Sequence, residues 1–387
     1  MLRKTFFWLH LVAGVIAGLV LAIIAFTGAA IAFKTDLITW AEHDVRHVAV
    51  PEGVAMRLPL NELLQRVREN QPDARPTNLT IAADPTATVA ITFGRDSVYY
   101  ASPYTGELHK PVSTRMHDFM QLMERWHRFL GFSGESSRPV GKAITGACNA
   151  AFLFLAVSGL YLWWPRNWSW RGIKALAVFN LRLAGKARDF NWHNSIGLWT
   201  APVLIIITLT AIPMSYRWGN NLVYRLTGNE PPAQGAGPGP NRYAPALIAP
   251  TPNSSTKPPG YDAFLTTVQT EFPRWSEISF RLGNAREPQA INVNVRTADQ
   301  WPLFASTTLT LDPCTGAVLR KEIFADQNTG RRLRTWARFL HTGEALSWPG
   351  KLVAGVASLG ALVLIWTGFA LSWRRFFRTK TRLVEQS

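Results

Sequence analysis

Four long apolar segments run through this chain of 387 residues, and each has a histidine at or just before its N-terminal end. The segments begin near Trp8, Val140, Ile196 and Lys351, and the histidines are His10, His127, His193 and His341. Apolar stretches of about 20 residues are membrane-spanning helix candidates. Successive spans alternate in direction, so spans one and three start on one membrane face and spans two and four on the other. His10 and His193 therefore share one face, and His127 and His341 share the opposite one. Ionisable groups near such spans are costly, and are usually partnered or functional.

The formal charge of +16 invites a nucleic-acid reading, but its distribution argues against one. Arg3 and Lys4 precede span one, and Arg166, Arg171, Lys174, Arg182, Lys186 and Arg188 crowd the short stretch between spans two and three. Arg374, Arg375, Arg378, Lys380 and Arg382 follow span four, while Lys34 to Arg138 is nearly neutral. Short Lys/Arg-rich loops stay in the cytoplasm. Both termini and the 166–190 loop are thus expected inside, with 34–138 and 218–350 in the periplasm of a bacterial inner membrane. Membrane lipid is an expected partner and nucleic acid is not. Arg3-Lys4 and Ala30-Ile31-Ala32 resemble the two ends of a signal peptide, but the apolar run from about Phe6 to Phe33 is too long for an h-region. Cys148 is mid-span and Cys314 lies in an external loop, so neither a disulfide nor a thiol metal site is expected.

The chain repeats itself. Trp8-Leu9-His10 with Gly14 matches Asn191-Trp192-His193 with Gly197, and Thr27 and Thr210 both lie seventeen residues after their histidine. Between spans, Ser102-Pro103-Tyr104-Thr105-Gly106 corresponds to Asp312-Pro313-Cys314-Thr315-Gly316, each reading as a strand running into a turn. A helix is expected upstream of each turn (59–70 and 261–272), with strands at 88–93 and 290–295. Amphipathic segments follow at 115–130 and 331–341, bearing His127 and His341, and Pro139 or Pro349 introduces the next span. The expected fold is four transmembrane α-helices with two small periplasmic α+β domains, internally duplicated.

Its divisions begin with transmembrane helix 1 over 1–33 and a periplasmic domain with juxtamembrane helix over 34–138. Span two over 139–165, the cytoplasmic loop over 166–190 and span three over 191–217 come next. A second periplasmic domain occupies 218–350, with a Pro/Gly/Ser-rich linker at 230–260. Span four over 351–374 and a cytoplasmic tail over 375–387 complete the chain.

The D/S-P-x-T-G turns, the small external domains and the Trp-rich span end Leu160-Tyr161-Leu162-Trp163-Trp164-Pro165 resemble the PepSY-associated transmembrane family. The resemblance covers nearly the whole chain, and Ser102 departs from the Asp found at the second turn. It implies PepSY-like external domains and, as in some members, reduction of ferric siderophores at the inner membrane.

The histidines suit that chemistry. Haem iron can take axial imidazoles from two helices, and filling both positions favours electron transfer over oxygen chemistry. His10 with His193 and His127 with His341 are the expected ligands of two b-type haems, with His117 an alternative outer ligand. From His10 to the outer end of span one is roughly 35 Å at ~1.5 Å per residue, a distance that calls for two haems. Gly14 and Gly197 would let a flat macrocycle approach the helix. Arg125, Arg128 and Arg338 outside, and Arg188 and Lys4 inside, are candidate propionate partners, although solvated interface charge is the commoner role. His43 and His47 are four apart and fit an exposed helical turn better than a metal site; His109 gives no signal. The tryptophans read mainly as an interfacial belt, with Trp301, Trp336 and Trp348 placed to line an outer surface.

No Gly-x-Gly-x-x-Gly or phosphate loop follows a strand, so electrons are expected from a quinol or a separate donor. The leading expectation is a haem-dependent ferric-siderophore reductase, with a hydroxamate-type chelate as the candidate substrate. The alternative is a non-enzymatic membrane protein whose periplasmic domains bind a peptide or protease. A transporter fits less well, although Pro202 and Pro213 interrupt span three.

Overall fold

The computed structural model describes residues 1–53, 56–71, 75–94, 97–165, 169–232, 259–282 and 290–377. Most of the 230–260 linker, Arg166, and the basic tail beyond residue 377 lie outside the described residues. The described chain forms two compact units, one of residues 1–34, 117–228 and 333–387, the other of 35–116 and 229–332.

The first unit contains four helices long and apolar enough to cross a membrane. Span one is Leu2–Ile31, span two Arg138–Trp163, span three Gly185–Ser215 and span four Ser347–Phe377. At ~1.5 Å per residue these helices outrun a hydrocarbon core of about 30 Å. Spans one and three each pack between spans two and four, so one and three face each other diagonally. Lipid offers no hydrophobic drive for helix association, so close packing rests on small residues. Ala25 of span one meets Leu204 of span three and Ala357 and Ala361 of span four in one buried cluster. Val12, Val15, Ile16, Leu19 and Phe26 lie exposed on span one, as a lipid-facing surface requires.

Asp189, one turn before His193, has a side chain only 1% exposed. Arg188 reaches it at 2.9 Å, and Arg374 of span four also hydrogen-bonds it. A carboxylate so placed depends on its partners, because an unpaired buried charge is strongly destabilising.

The second unit is built on one antiparallel sheet of eight strands in the order β4-β3-β2-β1-β5-β6-β7-β8. The strands are β1 Pro76–Ala82, β2 Val89–Phe93, β3 Ser97–Ala101, β4 Leu108–His109, β5 Trp275–Arg281, β6 Ile291–Thr297, β7 Thr307–Leu311 and β8 Val318–Glu322. Helix Leu60–Asn70 precedes the first four and helix Tyr261–Glu271 the second four. Leu63, Val67, Phe264 and Val268 of these helices pack onto Leu79, Ile91, Ile278 and Val293 of the sheet.

The sequence reading places the two inter-span segments in separate domains. The structure joins them, because β1 pairs with β5 in register from Asn78↔Arg281 to Ala82↔Glu277. Asn78 donates to Ser279 Oγ at 2.9 Å across that seam. The physical reason is the edge: β1 and β5 would each expose unpaired main-chain groups, and pairing satisfies both rows. The helices join as well. Asp262 accepts from the backbone N–H of Leu60 at 2.5 Å, and Asn61 Oδ1 accepts from that of Tyr261 at 2.9 Å. Each helix start is thus capped by a side chain from the other, satisfying N–H groups that the helix itself leaves unpaired.

The two turns match bond for bond. Gly106 N–H donates to the Ser102 carbonyl and Gly316 N–H to that of Asp312, both at 2.9 Å. Ser102 Oγ accepts from Tyr104 N–H at 3.3 Å and Thr105 N–H at 3.2 Å, where Asp312 Oδ1 accepts from Cys314 N–H at 2.7 Å and Thr315 N–H at 3.4 Å. Serine therefore does at the first turn what aspartate does at the second. Cys148 and Cys314 are both free thiols.

Because the reciprocal caps join segments some 200 residues apart, their loss should loosen the whole sheet unit. Asp262→Ala is expected to cost about 1–2 kcal/mol, read as faster hydrogen exchange in both the Leu60–Asn70 and Tyr261–Glu271 helices. Faster exchange confined to one helix would show that the caps act independently.

Candidate functional site

The structure brings the four histidines together as two pairs inside the membrane unit. His10 of span one and His193 of span three lie across the bundle from each other, with ring centroids 6.4 Å apart. His127 and His341 have centroids 6.2 Å apart. They come from amphipathic helices Arg115–Phe129 and Thr329–Thr342, which lead into spans two and four.

Each pair is held by oxygen atoms on the neighbouring helices. His10 Nδ1 lies 2.9 Å from Ser158 Oγ of span two, and His193 Nδ1 lies 2.9 Å from Thr367 Oγ1 of span four. His127 Nδ1 lies 3.0 Å from the carbonyl of Ile24, and His341 Nδ1 lies 2.8 Å from that of Ile207. Ile24 is fourteen residues after His10, and Ile207 fourteen after His193. At ~1.5 Å per residue the two levels are about 21 Å apart along the spans.

These contacts decide the tautomer. A carbonyl only accepts, so His127 and His341 must carry their proton on Nδ1. The inner hydroxyls reach the same result indirectly. Thr367 Oγ1 donates its proton to the Val363 carbonyl at 2.7 Å, and Ser158 Oγ donates to that of Leu155 at 3.3 Å. A hydroxyl whose proton is so used has lone pairs that can accept Nδ1–H, which would leave Nε2 as the basic nitrogen. Among the described residues, no hydrogen bond engages Nε2 of any of the four rings. Burial first, then the neighbouring His341 ring, pushes His127 down to about 4. Burial likewise lowers His341. The outer pair is thus neutral at pH 7, the state in which imidazole binds metals.

Tight turns deliver the outer histidines. A Cβ on Gly141 would sit 2.2 Å from the Phe129 carbonyl oxygen, and one on Gly350 would sit 2.2 Å from that of Gly343. Only glycine allows spans two and four to fold back so closely against the segments bearing His127 and His341. Glu124 secures the first of these helices, through Lys34 at 2.7 Å and Arg128 at 2.9 Å. Burial raises the Glu124 carboxyl, but the Lys34 and Arg128 contacts outweigh it and hold the group below its ordinary value.

The remaining sequence candidates fall elsewhere. His117 Nε2 lies 2.7 Å from Gln121 Nε2, four residues on in its own helix, and His127 is the residue brought to His341. A Cβ on Gly14 would stand 3.8 Å from a Leu155 methyl and one on Gly197 3.6 Å from a Leu364 methyl. It is Gly159 and Gly368 that lie against imidazoles, a Cβ there standing 3.4 Å from His10 Cε1 and 3.6 Å from His193 Cε1. Of the candidate propionate partners, Arg128 and Arg188 are engaged by Glu124 and Asp189, and Arg338 lies over the Phe339 ring. His43 and His47 stack on each other at 4.5 Å in the other unit. Trp301 is 68% exposed and Trp348 is also exposed, while Trp336 is half-buried.

Ser158, Gly159, Thr367 and Gly368 were not singled out by the sequence reading, yet they carry a signal. Leu155-x-x-Ser158-Gly159-x-x-Leu162 and Leu364-x-x-Thr367-Gly368-x-x-Leu371 are the same pattern on spans two and four.

The donor set limits what each pair can hold. Among the described residues no three His, Cys, Asp or Glu side chains converge on a metal position. Two imidazoles cannot close a tetrahedral zinc site, which takes four ligands. They can close an octahedral metal whose other four ligands come from a planar macrocycle. Two metal–nitrogen bonds of about 2 Å and two ring radii of about 1 Å put the centroids about 6 Å apart, in agreement with both pairs.

A comparison with curated proteins returns no match. Residues 7–375 match the family model described as the PepSY-associated TM region. Spanning nearly the whole chain, that match makes this protein a member of the PepSY-associated transmembrane family.

Proposed function

We propose that this chain is an inner-membrane di-haem b reductase that delivers electrons to a ferric siderophore at the periplasmic face and releases ferrous iron. The observation carrying this reading is the pair of opposed imidazoles at each of two levels, every Nδ1 held by oxygen and every Nε2 left basic. Haem b, when bound, supplies iron that gains and loses single electrons. His10 and His193 would hold one, and His127 and His341 the other. With both imidazoles of a pair holding the iron, no position would remain open for oxygen, which suits electron transfer. Neither cysteine lies in a C-x-x-C-H sequence, so attachment is non-covalent.

The basic bias of both termini and the 166–190 loop places them in the cytoplasm. Residues 34–138 and 218–350 then belong to the periplasm, where the two helix-and-four-strand segments act as PepSY-like domains derived by duplication. Reduction frees iron because hydroxamate chelates hold ferric iron far more tightly than ferrous. Electrons would come from a quinol or a separate donor, since the chain carries no phosphate-binding loop.

Reporters fused after Gly172 and after Gly228 should indicate opposite sides of the membrane; the same side for both overturns the topology. Detergent-purified protein is expected to show a Soret band and about two non-covalent haems. His10→Ala or His193→Ala should remove one, His127→Ala or His341→Ala the other, and His117→Ala neither. A colourless protein from haem-replete cells would favour a non-enzymatic, peptide- or protease-binding role. Finally, anaerobic addition of a ferric hydroxamate to the reduced protein should reoxidise it and yield ferrous iron trapped by a chromogenic chelator. Iron-free siderophore should do neither. A reduced spectrum unmoved by every ferric chelate tried would reject the reductase reading.

A further inference from the structure

The two levels differ in what holds their imidazoles. At the outer level the nearest acceptors are main-chain carbonyls, Ile24 and Ile207, with the Thr27 hydroxyl a second, longer contact of His127 Nδ1 at 3.2 Å. At the inner level they are side-chain hydroxyls, Ser158 and Thr367, which are 2% and 0% exposed. A hydroxyl buried in an apolar bundle is costly unless both its donor and acceptor capacities are used. Each of these uses its proton on a main-chain carbonyl of its own helix and its lone pair on a histidine of the next. Gly159 and Gly368, one residue on, leave the imidazole edge in contact with the helix without displacing it. Two different helices present the same construction to two different histidines.

We propose that Ser158 and Thr367 are the positioning residues of the inner site. They fix His10 and His193 in the Nδ1–H tautomer and direct Nε2 to a bound metal, and they hold that metal's potential down. The physical basis is that a ligating imidazole donating its other N–H is a more basic ligand, with its ring orientation set by the acceptor. A more basic ligand favours ferric over ferrous iron. Chained hydrogen bonds, ring to hydroxyl to carbonyl, polarise one another and reinforce the effect. The tautomer claim stands on the hydrogen bonds alone, whereas the claim about potential rests on the di-haem reading.

Two measurements keep those parts separate. The first uses haem-free protein with ¹⁵N-labelled histidine, resonances being assigned through single histidine variants. His10 and His193 should appear Nδ1-protonated in the native sequence. Ser158→Ala should move His10 alone toward a mixture of tautomers, and Thr367→Val, which keeps the shape and removes the hydroxyl, should move His193 alone. The second is a spectroelectrochemical titration of the haem-loaded protein, the inner wave being the one missing in His10→Ala. Ser158→Ala and Thr367→Val should each shift that wave to more positive potential and leave the outer wave in place. Thr367→Ser, which retains the hydroxyl, should restore the native value.

A general loss of packing would disturb both waves and would not be repaired by serine. Unchanged tautomers in both variants overturn the positioning claim, and an unmoved inner wave overturns the tuning claim. A protein that binds no haem but shows the expected tautomer changes would leave Ser158 and Thr367 as positioning residues and reject the haem reading instead.

Discussion

An imidazole inside an apolar helix bundle has two nitrogens to satisfy, and the membrane unit is organised around that requirement. Leaving both unpaired would cost several kcal/mol in a medium without water. Each ring meets half of the demand with an oxygen on another helix. Span one gives His10 to span two, and span three gives His193 to span four. Spans one and three in turn supply the carbonyls that take His127 and His341. No helix of the bundle can shift without breaking one of these bonds. The other half of the demand, at Nε2, meets no hydrogen-bond partner among the described residues, and on the di-haem proposal the geometry that stabilises the bundle would also prepare the site.

Such bonds form only if the helices approach closely, and the sequence provides for that with small residues. Gly159 and Gly368 abut the inner rings, and Gly141 and Gly350 permit the reversals that bring in the outer ones. A side chain at Gly28 would come within 3.2 Å of His127 Cε1. Charge completes the arrangement at each level. Asp189 bonds to Arg188 and Arg374 beside His193, and Glu124 bonds to Lys34 and Arg128 one turn before His127. In both clusters one carboxylate ties two segments through two cations.

Much of this was legible because it is local. Hydropathy over about 20 residues reports a span directly, and His10 and His193 stand out because their surroundings repeat. The choice between His117 and His127 was not legible. Both lie on one amphipathic helix, and what selects His127 is a carbonyl about a hundred residues away. Ser158 and Thr367 escaped notice for a different reason. A serine or threonine within a span ordinarily bonds the carbonyl one turn back, as both do here, and that ordinary role conceals the second bond. The single eight-stranded sheet was hidden because β1 and β5 are some 200 residues apart, and alternation in a strand reports a buried face but not a neighbour. The same separation concealed the Asn61 and Asp262 caps.

The division of labour between main chain and side chain follows from where each histidine originates. His10 and His193 are rooted in the spans, so their backbones are already fixed and only their rings need orientation. A hydroxyl on the adjacent span suffices, and being a side chain, it can be altered by a single substitution. His127 and His341 arrive on helices outside the four-span bundle, and their bonds must dock the helix as well as orient the ring. A main-chain carbonyl suits that task, and at His127 the Thr27 hydroxyl adds a longer contact at 3.2 Å. The carbonyl's position is fixed by the backbone of span one or three, and no substitution of its own side chain removes it. The inner level is therefore the one at which a single substitution can alter what orients the ring while the bundle stays intact, and the outer level is the one at which ring orientation and the docking of its helix are coupled.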